Sequence, residues 1–171
     1  MGSKMVTIRH ISAEDAERFL MLAQTIEQET SFMLREPGEL TMTATGQREQ
    51  ITQLLSRDNH TIFVADDAGT LAGYLSAAGG IYRRNHHNVH IAIGIRQAYT
   101  GQGIGQQLFA ALETWARARA LHRLELTVMA HNERAIRLYK RMGFIIEGTK
   151  RHALFINGTY VDEYYMAKLL E

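Results

Sequence analysis

Cysteine is absent from the 171-residue chain, which removes disulfides, thiolate metal sites and a cysteine nucleophile from consideration. Proline occurs once, at Pro37 in "TSFMLREPGELT", a stretch that reads as a loop bridging two helices. No apolar run approaches the roughly 18 residues of a membrane-spanning helix, and no charged-then-apolar leader opens the sequence. A cytoplasmic protein with no membrane contact is therefore expected. Net charge is only +1, which supplies no strong field for nucleic acid or a membrane surface, and the one basic run, "YRRNHH", stands isolated. Repeats, low-complexity tracts and linkers are also missing, so one domain over residues 5–170 is expected. The opening "MGSK" reads as a cloning remnant.

What is present is ordinary for a soluble globular protein: 46% hydrophobic and 22% charged residues, in a chain long enough to bury a sizeable core. "MVTIRHI" alternates as a strand, and Ser12 caps a helix carrying Phe19, Leu22, Ala23 and Ile26. A second helix runs through "QREQITQLLSR". "TIFVAD" and "LAGYLSAAG" are strands joined by "DDAGT", and "IYRRNHHN" leads into the strand "VHIAIGI". Ile104, Leu108, Ala111, Leu112 and Trp115 then fall at helical spacing. "RLELTVM" is a strand, and "NERAIRLYKRMGF" a short helix with Asn132 as N-cap and Gly143 past its end. "FIIEGT" reads as a strand, and "LFINGTYV" as two strand halves around the hairpin signal Asn157-Gly158. The fold class is thus a mixed α/β sheet: an antiparallel meander, a βαβα unit and a C-terminal hairpin.

The stretch "YTGQGIGQQL" places Gly101, Gly103 and Gly105 at the mouth of a helix. Free N–H groups and the positive end of the helix dipole coincide there, so a phosphate is the natural guest. A glycine-rich turn is the plain alternative. A Walker A loop is excluded because residues 101–108 hold no lysine, and a dinucleotide fingerprint fails because its third glycine comes one residue early.

With the helix and strand that follow, this loop resembles the GCN5-related N-acetyltransferase (GNAT) family. The loop is "TGQGIG", Thr100 to Gly105; a strand, an Asn and a helix ending in "LYKRMGF" come after it. The likeness extends from "VTIRHI" to "MAKLL", and the tail "EGTKRHALFINGTYVDEYYMAKLL" is further similar to a bacterial branch that acetylates free amino acids or related small amines. One departure is Thr100, where the family usually has Gln or Arg, which weakens one side-chain contact to the pyrophosphate.

The resemblance implies acetyl-CoA as co-substrate. Gly101, Gln102, Gly103, Ile104, Gly105 and Gln106 would turn their N–H groups to the pyrophosphate. Arg137, Lys140 and Arg141 would add charge near the phosphates, although a solvated basic helix face explains them equally. The pantetheine arm would lie beside the strand 89–95, with the acetyl carbonyl on a backbone N–H near Ile93, Gly94 and Ile95. Asn132 would hold that arm, with Ala135 on the helix that follows. Tyr139 matches the family tyrosine that protonates the coenzyme A sulfur; packing in the core is its structural alternative.

His90 stands where many relatives carry a catalytic Glu, and an imidazole can take a proton near neutrality; a strand histidine bonded to its neighbours is the other reading. His86, His87 and His90 lack a carboxylate at ligand spacing, so no metal is expected. Glu27, Glu29, Glu36 and Glu39 around Phe32 and Met33 would suit an ammonium-bearing acceptor, or simply form a solvated helix end. Of Tyr164 and Tyr165, which face opposite ways, one at most can enter a site. The expected partner is a small-molecule amine, with a homodimer left open. Competing functions are acetylation of peptide or protein N-termini, a non-catalytic coenzyme A-binding sensor, and nucleic-acid binding through "YRRNHH".

Overall fold

A computed structural model describes residues 5–171, and the opening "MGSK" lies outside the described residues. The elements follow one another as β1 (Thr7–His10), α1 (Ala16–Glu29), α2 (Ala44–Leu55), β2 (His60–Asp67), β3 (Thr70–Gly79), β4 (Asn88–Ile95), α3 (Ile104–Ala118), β5 (Arg123–Met129), α4 (Glu133–Arg141), β6 (Ile145–Ile156) and β7 (Thr159–Leu169). The strands form one seven-stranded sheet in the order β1-β2-β3-β4-β5-β7-β6. Every neighbouring pair is antiparallel except β4 and β5, which α3 joins as a parallel crossover. The mixed α/β architecture read from the sequence is therefore present.

Alternation along β2 divides the core between the two sheet faces. Phe63 and Ala65 pack with Leu108, Phe109, Leu112 and Trp115 of α3 and with Ile136 and Tyr139 of α4. Ile62 and Val64 face the other way, onto Phe19, Leu22 and Ile26 of α1 and Ile51 of α2. A strand buried on both faces carries a nearly unbroken apolar run, as "TIFVA" does.

Local signals set the ends of these elements. Ala68 (φ 49°) and Gly69 (φ 97°) make the tight turn between β2 and β3, and Asn157 (φ 49°) and Gly158 (φ 77°) make the one between β6 and β7. Both have the double positive φ that matches strand twist in a two-residue hairpin. Ahead of α1 the chain forms a single 3-10 turn over Ala13–Asp15. The Ser12 N–H donates to the Asp15 carboxylate at 2.8 Å, and Arg9 grips the same carboxylate through two bonds of 2.8 Å.

The C-terminal region differs from the sequence reading. "FIIEGT" and "LFIN" belong to one strand, β6, whose register with β7 breaks between Ile146 and Gly148 and again between Lys150 and Leu154. His152 adopts φ 49° within the second break. Bulges interrupt the period-two pattern, which is why the sequence looks like two strands.

Candidate active site

The crossover pair β4–β5 is a fork. Its pairing covers only Asn88–His90 against Arg123–Glu125. Beyond that crotch, Ile91–Ile95 keeps only β3 as a strand partner and Leu126–Met129 only β7. The two facing edges diverge and line a cavity of about 1260 Å³. That exceeds the roughly 300–1,000 Å³ of a site for one ligand and suits two substrates meeting. Unpaired strand edges offer backbone donors and acceptors to an extended guest.

The glycine loop sits at the open end. The first bond of α3 runs from the Gln107 N–H to the Gly103 carbonyl at 3.1 Å. Among the described residues, no acceptor takes any backbone N–H from Gly101 through Gln106. Gly101 (φ 76°) and Gly103 (φ 78°) hold left-handed backbone, and a Cβ at Gly103 would meet nothing within 4 Å. The result is a concave set of donors at the N-terminus of a 15-residue helix, a fit for phosphate oxygens.

At Gly105 a Cβ would lie 2.8 Å from Leu138 Cδ2, so its missing side chain serves the close packing of α3 on α4, while its N–H stays in the cradle. Thr100, Gly101, Gly103, Ile104, Gly105 and Gln106 line the cavity. Gln102 does not, and its side chain donates to the Ala98 carbonyl at 3.3 Å.

From α4 the cavity receives Asn132, Ala135, Arg137 and Arg141, but not Lys140. It also receives Arg134, which the sequence reading passed over and whose Nη2 lies 3.8 Å from where a Gly101 Cβ would be. The Asn132 side chain accepts from the Ala135 N–H at 3.3 Å, so it caps α4 as well as lining the site. Tyr139 fills both of its expected places. It packs edge-on against Phe109 (ring centroids 5.7 Å apart), and it lines the cavity. Burial, with the Tyr74 phenol adding, pushes the Tyr139 phenol above the usual tyrosine range, so it carries its proton at neutral pH.

His90 is the last residue of β4 paired with β5, directly across from Glu125. It is exposed and lines the cavity. The other two histidines of the run go elsewhere: His86 Nε2 lies 3.1 Å from Asp58 Oδ1, and the His87 ring faces His122 at 6.2 Å. Among the described residues no three His, Asp or Glu side chains gather at metal-binding distance.

Gly94 is another glycine closed in by its neighbours. In register it sits opposite Tyr74 on β3, and a Cβ there would lie 2.9 Å from Tyr74 Cε1 and 3.1 Å from Ile26 Cδ1. The bare Cα of Gly94 lets the Tyr74 ring lie across β4, and Tyr74, Ile93, Gly94 and Ile95 all line the cavity. Tyr74 had no signal in the sequence beyond a strand aromatic.

The rest of the cavity wall is built from the loop after α1 and from the hairpin. Glu27 is 2% exposed and pairs with Arg35 Nε at 2.6 Å. Glu29 accepts from the Gln97 N–H at 2.7 Å. Two of the four carboxylates expected to suit an ammonium group are thus already engaged. Glu36 and Glu39 lie outside the cavity, where the Glu36 N–H donates to Glu39 at 2.6 Å. Phe32 and Met33 do line it, together with Lys150, Leu154 and Glu163 of the hairpin. Phe32 also meets the ring of His131, in the connection between β5 and α4, with centroids 5.1 Å apart. Neither Tyr164, packed on the core, nor Tyr165, exposed, lines the cavity.

A split parallel pair beside a donor-rich helix mouth is an arrangement for a phosphorylated carrier with an extended arm. Residues 22–144 match the model of the Acetyltransferase (GNAT) family, and the chain belongs to that family. It is an N-acetyltransferase with acetyl-CoA as donor. It is 32% identical over 121 residues to the L-amino acid N-acetyltransferase AaaT of Escherichia coli, covering 68% of this chain and 73% of that protein. It is 34% identical over 121 residues to the N-alpha-acetyltransferase RimI of Mycobacterium tuberculosis, covering 68% and 70%. A GNAT acetyltransferase from Streptococcus pneumoniae superposes with a TM-score of 0.93 at 27% identity, covering 98% of this chain and all of that one.

Proposed function

We propose that the acceptor is a primary amine on a small molecule, an amino acid or a related amine, attacked directly in the fork. The observation that carries this reading is the lining of the cavity away from the glycine loop, where Phe32 and Met33 of the loop after α1 meet Leu154 and Glu163 of the hairpin. Such a lining of apolar side chains with a carboxylate suits a small amine that carries an apolar group.

Bound acetyl-CoA supplies an acetyl thioester. The cradle from Gly101 to Gln106, with Arg134, Arg137 and Arg141 beside it, binds the phosphates, and Asn132 and the open edge of β4 align the arm. A backbone N–H among Ile93, Gly94 and Ile95 accommodates charge building on the carbonyl oxygen. The amine nitrogen bonds to the carbonyl carbon and the C–S bond breaks. Tyr139 gives its proton to the departing sulfur, and His90, directly or through water, takes the proton the amine sheds.

Thiol release from acetyl-CoA, assayed across free amino acids, polyamines, aminoglycosides and peptide N-termini, tests this assignment. The expected outcome is the highest kcat/KM with a free amino acid or closely related amine. A clear preference for peptide N-termini contradicts it and favours the protein-directed activity.

A further inference from the structure

We propose that Arg35 is the acceptor's carboxylate anchor, so that the substrate class is amines bearing a carboxylate group. This rests on the small-molecule reading above. The Glu27 carboxylate is 2% exposed at the end of α1, and Arg35 Nε meets it at 2.6 Å. A carboxylate buried to that degree is costly unless paired, and a single Nε contact is the least an arginine can offer it. Among the described residues no acceptor takes either Nη group of Arg35. The Arg35 side chain is 45% exposed, and the residue lines the cavity. Glu27 therefore fixes the stem side of a planar fork whose outer N–H groups are free for a guest.

That fork matches a carboxylate through two parallel hydrogen bonds and has nothing to offer an ammonium group. The donor's phosphates have their own cradle at Gly101–Gln106, at the mouth of α3. The other charged groups on the acceptor side are Glu29, already engaged by the Gln97 N–H, and Lys150 and Glu163 of the hairpin. The latter two face each other across β6 and β7 and form no ion pair among the described residues. Glu163 gives the acceptor's cationic end a counter-charge on the hairpin wall of the cavity. A molecule carrying both a carboxylate and an amine satisfies both walls, and a polyamine satisfies one.

The test compares an amino acid that the native enzyme acetylates with its amide and its decarboxylated amine, in native and Arg35→Gln proteins. Native enzyme should favour the acid, chiefly through KM. In Arg35→Gln the acid-over-amide ratio of kcat/KM should collapse by roughly 10- to 100-fold, the worth of a charge-assisted pair. A loop tether with no substrate role would lower acid and amide together and reduce Tm, leaving the ratio intact. That result, or equal use of acid and amide by native enzyme, overturns the anchor and leaves the small-amine reading standing. Turnover confined to peptide N-termini in the native enzyme overturns both.

Discussion

The Tyr74 ring lies across the backbone of Gly94, so close that a Cβ on Gly94 would stand 2.9 Å from Tyr74 Cε1. Here a phenol from β3 reaches past β4 to the edge where the acetyl group is to be held. Gly94→Ala forces that ring aside and should cost about 1–3 kcal/mol of stability. Urea unfolding of Gly94→Ala, Tyr74→Ala and the double variant checks the cause. The expected coupling is at least about 0.5 kcal/mol, with the double variant less damaged than the sum. Simple additivity would mean that the ring is not what excludes the methyl group.

Within the loop, two glycines with different duties should separate experimentally. Gly103 has left-handed backbone and open space in its Cβ direction, so Gly103→Val places a side chain beside the free N–H groups. Acetyl-CoA affinity measured by calorimetry should drop by about tenfold or more. Gly105→Ala instead meets Leu138, and its main effect should be a lower Tm. Equal donor affinities in Gly103→Val and native protein contradict the cradle.

Acid stability should depend on Asp15. The Arg9 guanidinium beside it holds this buried carboxyl well below the usual carboxylate range, with burial opposing and the Ser12 N–H assisting. A carboxyl depressed on folding contributes stability that is complete above its unfolded value of about 3.9 and is lost as pH falls below it. Asp15→Asn should therefore cost about 3 kcal/mol at neutral pH by leaving Arg9 half-paired. It should also lose less stability than the native protein between about pH 5 and pH 2. Parallel acid titrations followed by circular dichroism provide the comparison.

The elements and the donor loop were legible because their signals are local. Glycine at positive φ (Gly101, Gly103), an Asn-Gly turn and the α3 stripe each declare themselves within a few residues. What stayed hidden depends on contacts distant in sequence. Nothing in "LFINGTYV" says that β7 inserts between β5 and β6, and the bulges at Gly148 and His152 disguised one strand as two. The same holds for the site. Arg35, Arg134 and Tyr74 carry no signal of their own in the sequence, because their places at the cavity come from what the fold brings opposite them. Glu27 and Glu29 were read as free carboxylates since a sequence does not display their partners, Arg35 and the Gln97 N–H. The bare Cα atoms of Gly94 and Gly105 likewise accommodate Tyr74 and Leu138, contacts that sequence spacing does not display.

His90 stands at the crotch of the fork opposite Glu125, on the acceptor side of the arm that Ile93–Ile95 would hold. His90→Gln should lower kcat by roughly 10²-fold, as expected when a general base is removed, with acetyl-CoA affinity unchanged. Near-native turnover at saturating acceptor would assign the proton to water or to another group.

Tyr139 provides the most direct measurement, because it joins the donor site to the chemistry. The phenol ring is buried against Phe109 and Phe144, so Tyr139→Phe keeps the ring and removes only the hydroxyl group that carries the proton. With acceptor saturating, kcat should fall roughly 10²-fold or more while calorimetry finds acetyl-CoA bound as tightly as before. A kcat within about threefold of native would contradict the account and return Tyr139 to the core as packing alone.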